Sequence, residues 1–195
     1  MLHVPHWAAD RSQEVWAAVQ AVAAAAPFRQ MRVPGGGTMS AAMTNCGRAG
    51  WVSDGGGYRY SRSDPETGQH WPAMPSLFAE LAARAAEMAG FPDFAPDVCL
   101  INRYEPGARM GLHQDRDERD FSQPIVSLSF GMPAVFLWGG ARRHDPVERI
   151  TLNSGDVVVW GGAERLFFHG IAPVAKGAHP LTGACRINLT LRKAL

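Results

Sequence analysis

The chain has 195 residues, 46% of them apolar and 19% charged, which is the composition of one globular domain and excludes a disordered chain. A formal charge of +1 excludes a global attraction for polyanions, so any nucleic-acid contact must come from local patches. No apolar run approaches the roughly eighteen residues of a membrane span, and the start, Met1-Leu2-His3-Val4-Pro5-His6-Trp7, lacks a secretory pattern. Three widely spaced cysteines (Cys46, Cys99, Cys185) with no CxxC pair argue for reduced thiols in the cytoplasm and against a disulfide frame or structural zinc, and the chain is expected to be a monomer.

The first element in chain order is a helix over Asp10 to Ala26. Val15, Trp16, Val19, Val22, Ala23 and Ala26 recur at helical spacing, Asp10 can cap, and Pro27 stops it. Residues 34–60 differ in texture. Gly35-Gly36-Gly37 and Gly55-Gly56-Gly57 flank Met43, Trp51, Tyr58 and Tyr60, which reads as mobile hairpins carrying contact side chains rather than core strands. A second helix, about Pro75 to Ala89, has proline in its first turn and Gly90 past its end. From Val98 onward short strands follow, near 98–104, 124–130, 134–138, 148–152, 156–160, 165–169 and 185–192, with breaks at Pro106-Gly107, Gly139-Gly140, Asn153-Ser154-Gly155 and Gly161-Gly162. The pattern predicts a mostly β fold with flanking helices: a double-sheet jelly roll, or double-stranded β-helix, in a single domain over 1–195. The jelly-roll core is expected over about 98–195 and the glycine-flanked hairpin segment, a candidate lid, over about 34–60.

His113 and Asp115 form a His-x-Asp pair, and alternate residues of a strand or strand end share a face. With His169 from a distant strand they make a two-histidine, one-carboxylate set with open positions, typical of non-haem Fe(II). By spacing alone the pair is also compatible with a solvated loop, because a charge run, Arg116-Asp117-Glu118-Arg119-Asp120, follows it. His3, His6, His70, His144 and His179 lack such partners and read as surface residues.

The last strand puts Arg186, Asn188, Thr190 and Arg192 on one face and Ile187, Leu189 and Leu191 on the other. A half-buried strand showing its polar face to water has the same pattern. Leu100, Asn102 and Tyr104 share a face of another strand and mix apolar with hydrogen-bonding groups, as ligand pockets do. The two arginine α-carbons lie roughly 20 Å apart along a strand. Leaning inward, the guanidinium groups would leave a gap suited to a small dicarboxylate, and 2-oxoglutarate chelating Fe(II) would supply both anions.

With these blocks in view, the sequence resembles the AlkB family. The resemblance is carried by Pro27-Phe28-Arg29-Gln30-Met31, Ala42-Met43-Thr44-Asn45-Cys46-Gly47, Trp71-Pro72-Ala73-Met74-Pro75, Leu100-Ile101-Asn102-Arg103-Tyr104, Leu112-His113-Gln114-Asp115, Gly155 to Gly162, and Arg186 to Arg192. It implies Fe(II) on His113, Asp115 and His169, with 2-oxoglutarate on Leu100, Asn102, Tyr104, Arg186, Asn188 and Arg192, and O2 as cosubstrate. It implies a nucleotide-recognition lid, with Met43, Trp51, Tyr58, Arg59, Tyr60, Asp117 and Arg143 meeting the substrate. The implied activity is oxidative dealkylation of 1-methyladenine and 3-methylcytosine in single-stranded DNA or RNA. 2-Oxoglutarate would be decarboxylated to succinate and formaldehyde released. Against the family pattern the opening strand is shortened to about Leu2–Trp7. Gly37 replaces a tyrosine and Gly111 a serine. The competing readings are a hydroxylase of a small molecule or protein side chain with the same core, and a non-catalytic jelly-roll binding module.

Overall fold

The computed structural model describes residues 1–195. In chain order its elements are β1 (Leu2–Val4), α1 (Ser12–Ala25), β2 (Ala42–Gly47), β3 (Gly50–Asp54), β4 (Gly57–Ser61), α2 (Ser76–Met88), β5 (Val98–Tyr104), β6 (Met110–His113), β7 (Ile125–Gly131), β8 (Ala134–Trp138), β9 (Glu148–Leu152), β10 (Val157–Trp160), β11 (His169–Ile171) and β12 (Arg186–Arg192). Six strands form a major antiparallel sheet in the order β1-β10-β7-β12-β5-β2, and four form a minor sheet, β6-β11-β8-β9. The remaining pair, β3 and β4, is a separate hairpin.

Period-two alternation along the major sheet separates two cores. Cys99 and Ile101 of β5, Val126, Leu128 and Phe130 of β7, and Ile187, Leu189 and Leu191 of β12 face the two helices. The helices answer with stripes at helical spacing: Val15, Val19 and Val22 from α1, and Phe78, Leu81, Ala82, Ala85 and Ala86 from α2. Residues one step along each strand point to the opposite face, toward the minor sheet. There they join Met43, Phe136, Trp138, Trp160 and Ile171 in a second core, which contains the candidate site.

Several boundaries differ from expectation. Residues Ala9–Arg11 form a 3-10 turn before α1, and Asp10 makes no capping bond. The strand expected over 165–169 is instead a 3-10 turn at Gly162–Glu164 and a connecting segment, with β11 beginning only at His169. Arg165 turns inward there as a buried cation, and such a residue needs fixed acceptors that a ladder position would not supply. β6 was not foreseen as a separate strand. Gly170 of β11 passes so close to it that an added Cβ would sit 2.6 Å from the Met110 carbonyl oxygen.

The 34–60 segment is also more ordered than its glycines suggest. β2 pairs along its whole length with β5 in the major sheet, and Met43 is 1% exposed. The β3–β4 hairpin is anchored rather than loose. Val52 is buried, and the Asn45 side chain bonds both the amide and the carbonyl of Trp51 at 3.0 Å. Cys46 and Cys99, far apart in sequence, are directly opposed in the β2–β5 register; all three cysteines are buried free thiols.

Candidate active site

His113 ends β6 directly opposite His169, which begins β11, so a backbone ladder sets the separation of the two imidazoles. His113 is the last residue of β6, so the His-x-Asp pair falls at a strand end, one of the two placements its spacing allows. Asp115 lies two residues past the end of β6, in the irregular segment from Gln114 to Pro124. One ligand atom from each of the three residues lies within 4.8 Å of the others. The Asp115 carboxylate faces both rings, with Oδ1 3.6 Å from His113 Nε2 and Oδ2 3.7 Å from His169 Nε2. The other ring nitrogens, Nδ1, lie 2.9 Å from the Gly111 carbonyl and 3.0 Å from the Phe167 carbonyl. A carbonyl only accepts, so each Nδ1 carries a proton, and each Nε2 is the atom turned toward Asp115. Burial, reinforced by His113, pushes the His169 pKa down to about 4, keeping its Nε2 lone pair free at neutral pH. Burial opposes ionisation of Asp115, but Arg192, His169 and His113 outweigh it and hold the carboxyl well below the usual carboxylate range. Two imidazoles and one ionised carboxylate, open on one side, form a donor set that fits Fe(II).

Beside this set runs the polar face of β12. It is not solvated: Arg186, Asn188, Thr190 and Arg192 are all buried. Asn188 Nδ2 donates to Ser127 Oγ at 2.8 Å and to the Leu128 carbonyl at 3.1 Å, and its Oδ1 accepts from Thr190 and Asn102. The two arginines then diverge. Arg192 reaches Asp115 Oδ2 at 2.6 Å and lies 3.3 Å from Glu118. Burial lowers its pKa, but Asp115, Tyr60 and Glu118 together raise it overall. Arg186 donates only to Ser129 Oγ, at 3.0 Å, and stands 5.1 Å from the Tyr104 ring. Its Nε and Nη1 are buried without partners, and burial pushes its pKa down despite Tyr104. An unpaired interior guanidinium costs several kcal/mol. Arg186 therefore marks a place made for an anion in a cleft of about 70 Å³ that the histidines also line, at the opposite end of β12 from the Arg192 that meets Asp115. Leu100, Asn102 and Tyr104 line the same cleft, and Asn102 Oδ1 and Arg192 Nη1 also lack partners. These open valences fit a small polar dicarboxylate.

The residues expected to meet substrate fall into three groups. Met43 and Trp51 line the cleft itself. Trp51 stacks on Tyr58 with ring centroids 5.5 Å apart, and its indole N–H donates to Asp117 Oδ2 at 2.7 Å. Tyr58, Asp117 and Arg143 line an adjoining outer groove with His113, Gln114, Arg116 and Phe168. Tyr60 and Arg59 lie elsewhere. The Tyr60 hydroxyl donates to buried Glu118 at 2.6 Å, whereas Arg59 pairs with Asp54 across its own hairpin, outside both cavities. Sequence reasoning missed Ser127, Ser129, Glu118, Arg165 and Trp160. The two serines were legible, since Val126-Ser127-Leu128-Ser129-Phe130 alternates as strictly as β12 does. Glu118 was taken for part of a solvated charge run, and nothing local distinguishes it from its exposed neighbours.

Iron with open positions and a dicarboxylate cosubstrate beside it are the working parts of one enzyme class, the Fe(II)- and 2-oxoglutarate-dependent dioxygenases. Both requirements are met here within one cleft between two sheets. Comparison with known proteins agrees. The family model described as the 2OG-Fe(II) oxygenase superfamily matches residues 1–192. The chain is 60% identical over 173 residues to the Escherichia coli alpha-ketoglutarate-dependent dioxygenase AlkB, covering 89% of this chain and 80% of that one. It is 49% identical over 178 residues to an AlkB homolog of Caulobacter vibrioides, covering 91% and 79%. The solved structure of OsALKBH1 superposes with a TM-score of 0.86 at 28% identity, covering 98% of this chain and 95% of that one. The chain belongs to the 2OG-Fe(II) oxygenase superfamily and, within it, to the AlkB family. It is an Fe(II)/2-oxoglutarate-dependent dioxygenase that uses O2. No helix is long and apolar enough to cross a membrane.

Proposed function

We propose that this enzyme oxidatively dealkylates nucleobases such as 1-methyladenine and 3-methylcytosine in single-stranded nucleic acid, acting as a cytoplasmic monomer. His113, Asp115 and His169 hold the iron, and Arg186 and Arg192 hold the two ends of 2-oxoglutarate, with Leu100, Asn102, Tyr104 and Asn188 between them. Bound Fe(II) with 2-oxoglutarate and O2 supplies oxidation of an N-methyl carbon, coupled to formation of succinate and CO2. The hydroxylated methyl then leaves as formaldehyde and the base is restored. The chain's own contribution is placement. The Nδ1–H bonds to backbone carbonyls keep both imidazoles oriented. Arg192 keeps Asp115 ionised and turned toward the histidines.

The observation that carries the nucleobase reading is the stacked Trp51–Tyr58 pair with Asp117 hydrogen-bonded to it, beside the cleft that contains His113. 1-Methyladenine and 3-methylcytosine are cationic, so an aromatic face and a carboxylate are matched partners for them. Relatives of the chain point the same way, among them the human nucleic acid dioxygenase ALKBH1, 34% identical over 124 residues. The test is formaldehyde release from oligonucleotides carrying one methylated base. We expect release in step with succinate from 1-methyladenine and 3-methylcytosine, greater in single strands than in duplexes. Succinate formation without formaldehyde on every oligonucleotide would transfer the reading to a small-molecule or protein hydroxylase.

A further inference from the structure

The segment from Gln114 to Pro124 connects β6 to β7 and carries Asp115, Asp117 and Glu118. It has no regular structure, and none of its residues makes a backbone–backbone hydrogen bond. A segment with an unpaired backbone is ordinarily mobile, yet this one must hold a metal-ligand carboxylate to a fraction of an ångström. Side chains must therefore hold it. One of them reaches both of its ends.

Arg165, just past the 3-10 turn at Gly162–Glu164, is 2% exposed. Its Nη1 donates to the main-chain carbonyl of Asp115 at 2.7 Å, and its Nε donates to the carbonyl of Gln123 at 3.0 Å. Its Nη2 lies 3.1 Å from Glu118 Oε2, an ion pair without good hydrogen-bond alignment. The Phe121 ring covers the guanidinium at 5.4 Å. A single planar cation thus holds the segment at residues 115, 118, 121 and 123. Glu118 extends the set, accepting from the Tyr60 hydroxyl of β4 and lying 3.3 Å from Arg192.

We infer that Arg165 is a positioning residue for the dioxygenase reaction: it braces the 114–124 segment so that the iron carboxylate of Asp115 and the base-side carboxylate of Asp117 are presented together. Lysine cannot replace it, because one ammonium cannot span carbonyls at both ends of the segment while keeping a carboxylate partner. The inference rests on the assignment of Asp115 to the metal, but not on the identity of the organic substrate.

The experiment uses the metal-free protein and Mn(II) as probe, with no turnover. Arg165→Gln, Arg165→Lys and the double variant Arg165→Met/Glu118→Gln are compared with wild type; the double variant leaves no buried carboxylate facing an absent cation. Mn(II) affinity, amide exchange across residues 114–124 and thermal stability are measured on each. We expect Mn(II) affinity to fall about 10- to 100-fold in all three, as for other groups that orient a metal ligand. Exchange should quicken within 114–124 while β7 and β12 stay protected. The double variant should melt closest to wild type yet remain impaired in Mn(II) binding. Wild-type Mn(II) affinity and exchange in the double variant would overturn the inference. So would exchange that quickens evenly over the whole chain, which marks a general stabilising role. Failure of wild type itself to bind Mn(II) would sink the metal assignment and this inference together. Failure on methylated oligonucleotides alone would touch only the proposed substrate.

Discussion

On one side of β12, Ile187, Leu189 and Leu191 are wholly buried among aliphatic and aromatic side chains of the helices and neighbouring strands. On the other, Arg186, Asn188, Thr190 and Arg192 are almost as deeply buried, but several of their polar groups lack partners. The helix-side face is saturated, so it contributes stability and has no valence to spare. The cleft-side face is unsaturated, so it costs stability until a ligand arrives. One strand thus serves both folding and chemistry, and alternate residues divide the work.

Breaking the metal set should give the largest effect. His113→Ala should reduce turnover to background with little change in melting, because its side chain is 39% exposed and no charge depends on it alone. Asp115→Ala should abolish turnover equally but also destabilise by about 1–3 kcal/mol, because it strips Arg192 of its closest anion and leaves Glu118 as its remaining partner. Parallel turnover and unfolding measurements on the two variants separate ligand loss from charge loss.

On the saturated face, Leu189→Ala should cost about 2–5 kcal/mol of stability by opening a cavity, while the KM for 2-oxoglutarate stays near wild type. Denaturant unfolding and steady-state kinetics check the pair of expectations, and a strong KM effect would blur the division between faces. At the hairpin, Trp51→Ala should weaken binding of a methylated oligonucleotide by about 1–3 kcal/mol, roughly 5- to 150-fold. Succinate formation without nucleic acid should persist. Equal loss of melting temperature and both activities would make Trp51 a core residue.

The smallest effect concerns Asp156, which accepts from the His6 amide at 2.8 Å and the Asn153 amide at 2.9 Å and meets His3 Nε2 at 3.0 Å. Burial raises its pKa, but the amides of Asn153 and His6 with His3 lower it overall. Because the folded value lies below the unfolded one, the stabilisation is present above the ordinary carboxylate range and is lost as pH falls through the lowered value. Asp156→Asn should cost roughly 1–2 kcal/mol at neutral pH and flatten the acid limb of a stability–pH curve.

Much of this division was legible in the sequence. Strict alternation located β5 and β12, and the β8 and β9 bounds agree with the expected 134–138 and 148–152. What local pattern could not show was partnership at long range. His3 looked like a surface histidine because Asp156 is far away in sequence. Arg165 looked like a strand residue because its acceptors lie on another segment, and β2 looked like part of a lid because β5 alone makes it a core strand. Glycines at 35–37 and 55–57 signalled turns correctly but said nothing of the pairing between them.

The most direct test of the unsaturated face is the melting temperature of Arg186→Met beside wild type, each with Mn(II) and with or without 2-oxoglutarate. Methionine removes the unpaired charge while filling most of the space. The variant without 2-oxoglutarate should melt at or above wild type, and saturating 2-oxoglutarate should raise wild type by several degrees and the variant hardly at all. An equal rise in both proteins would contradict the account, because Arg186 would then hold no part of the cosubstrate.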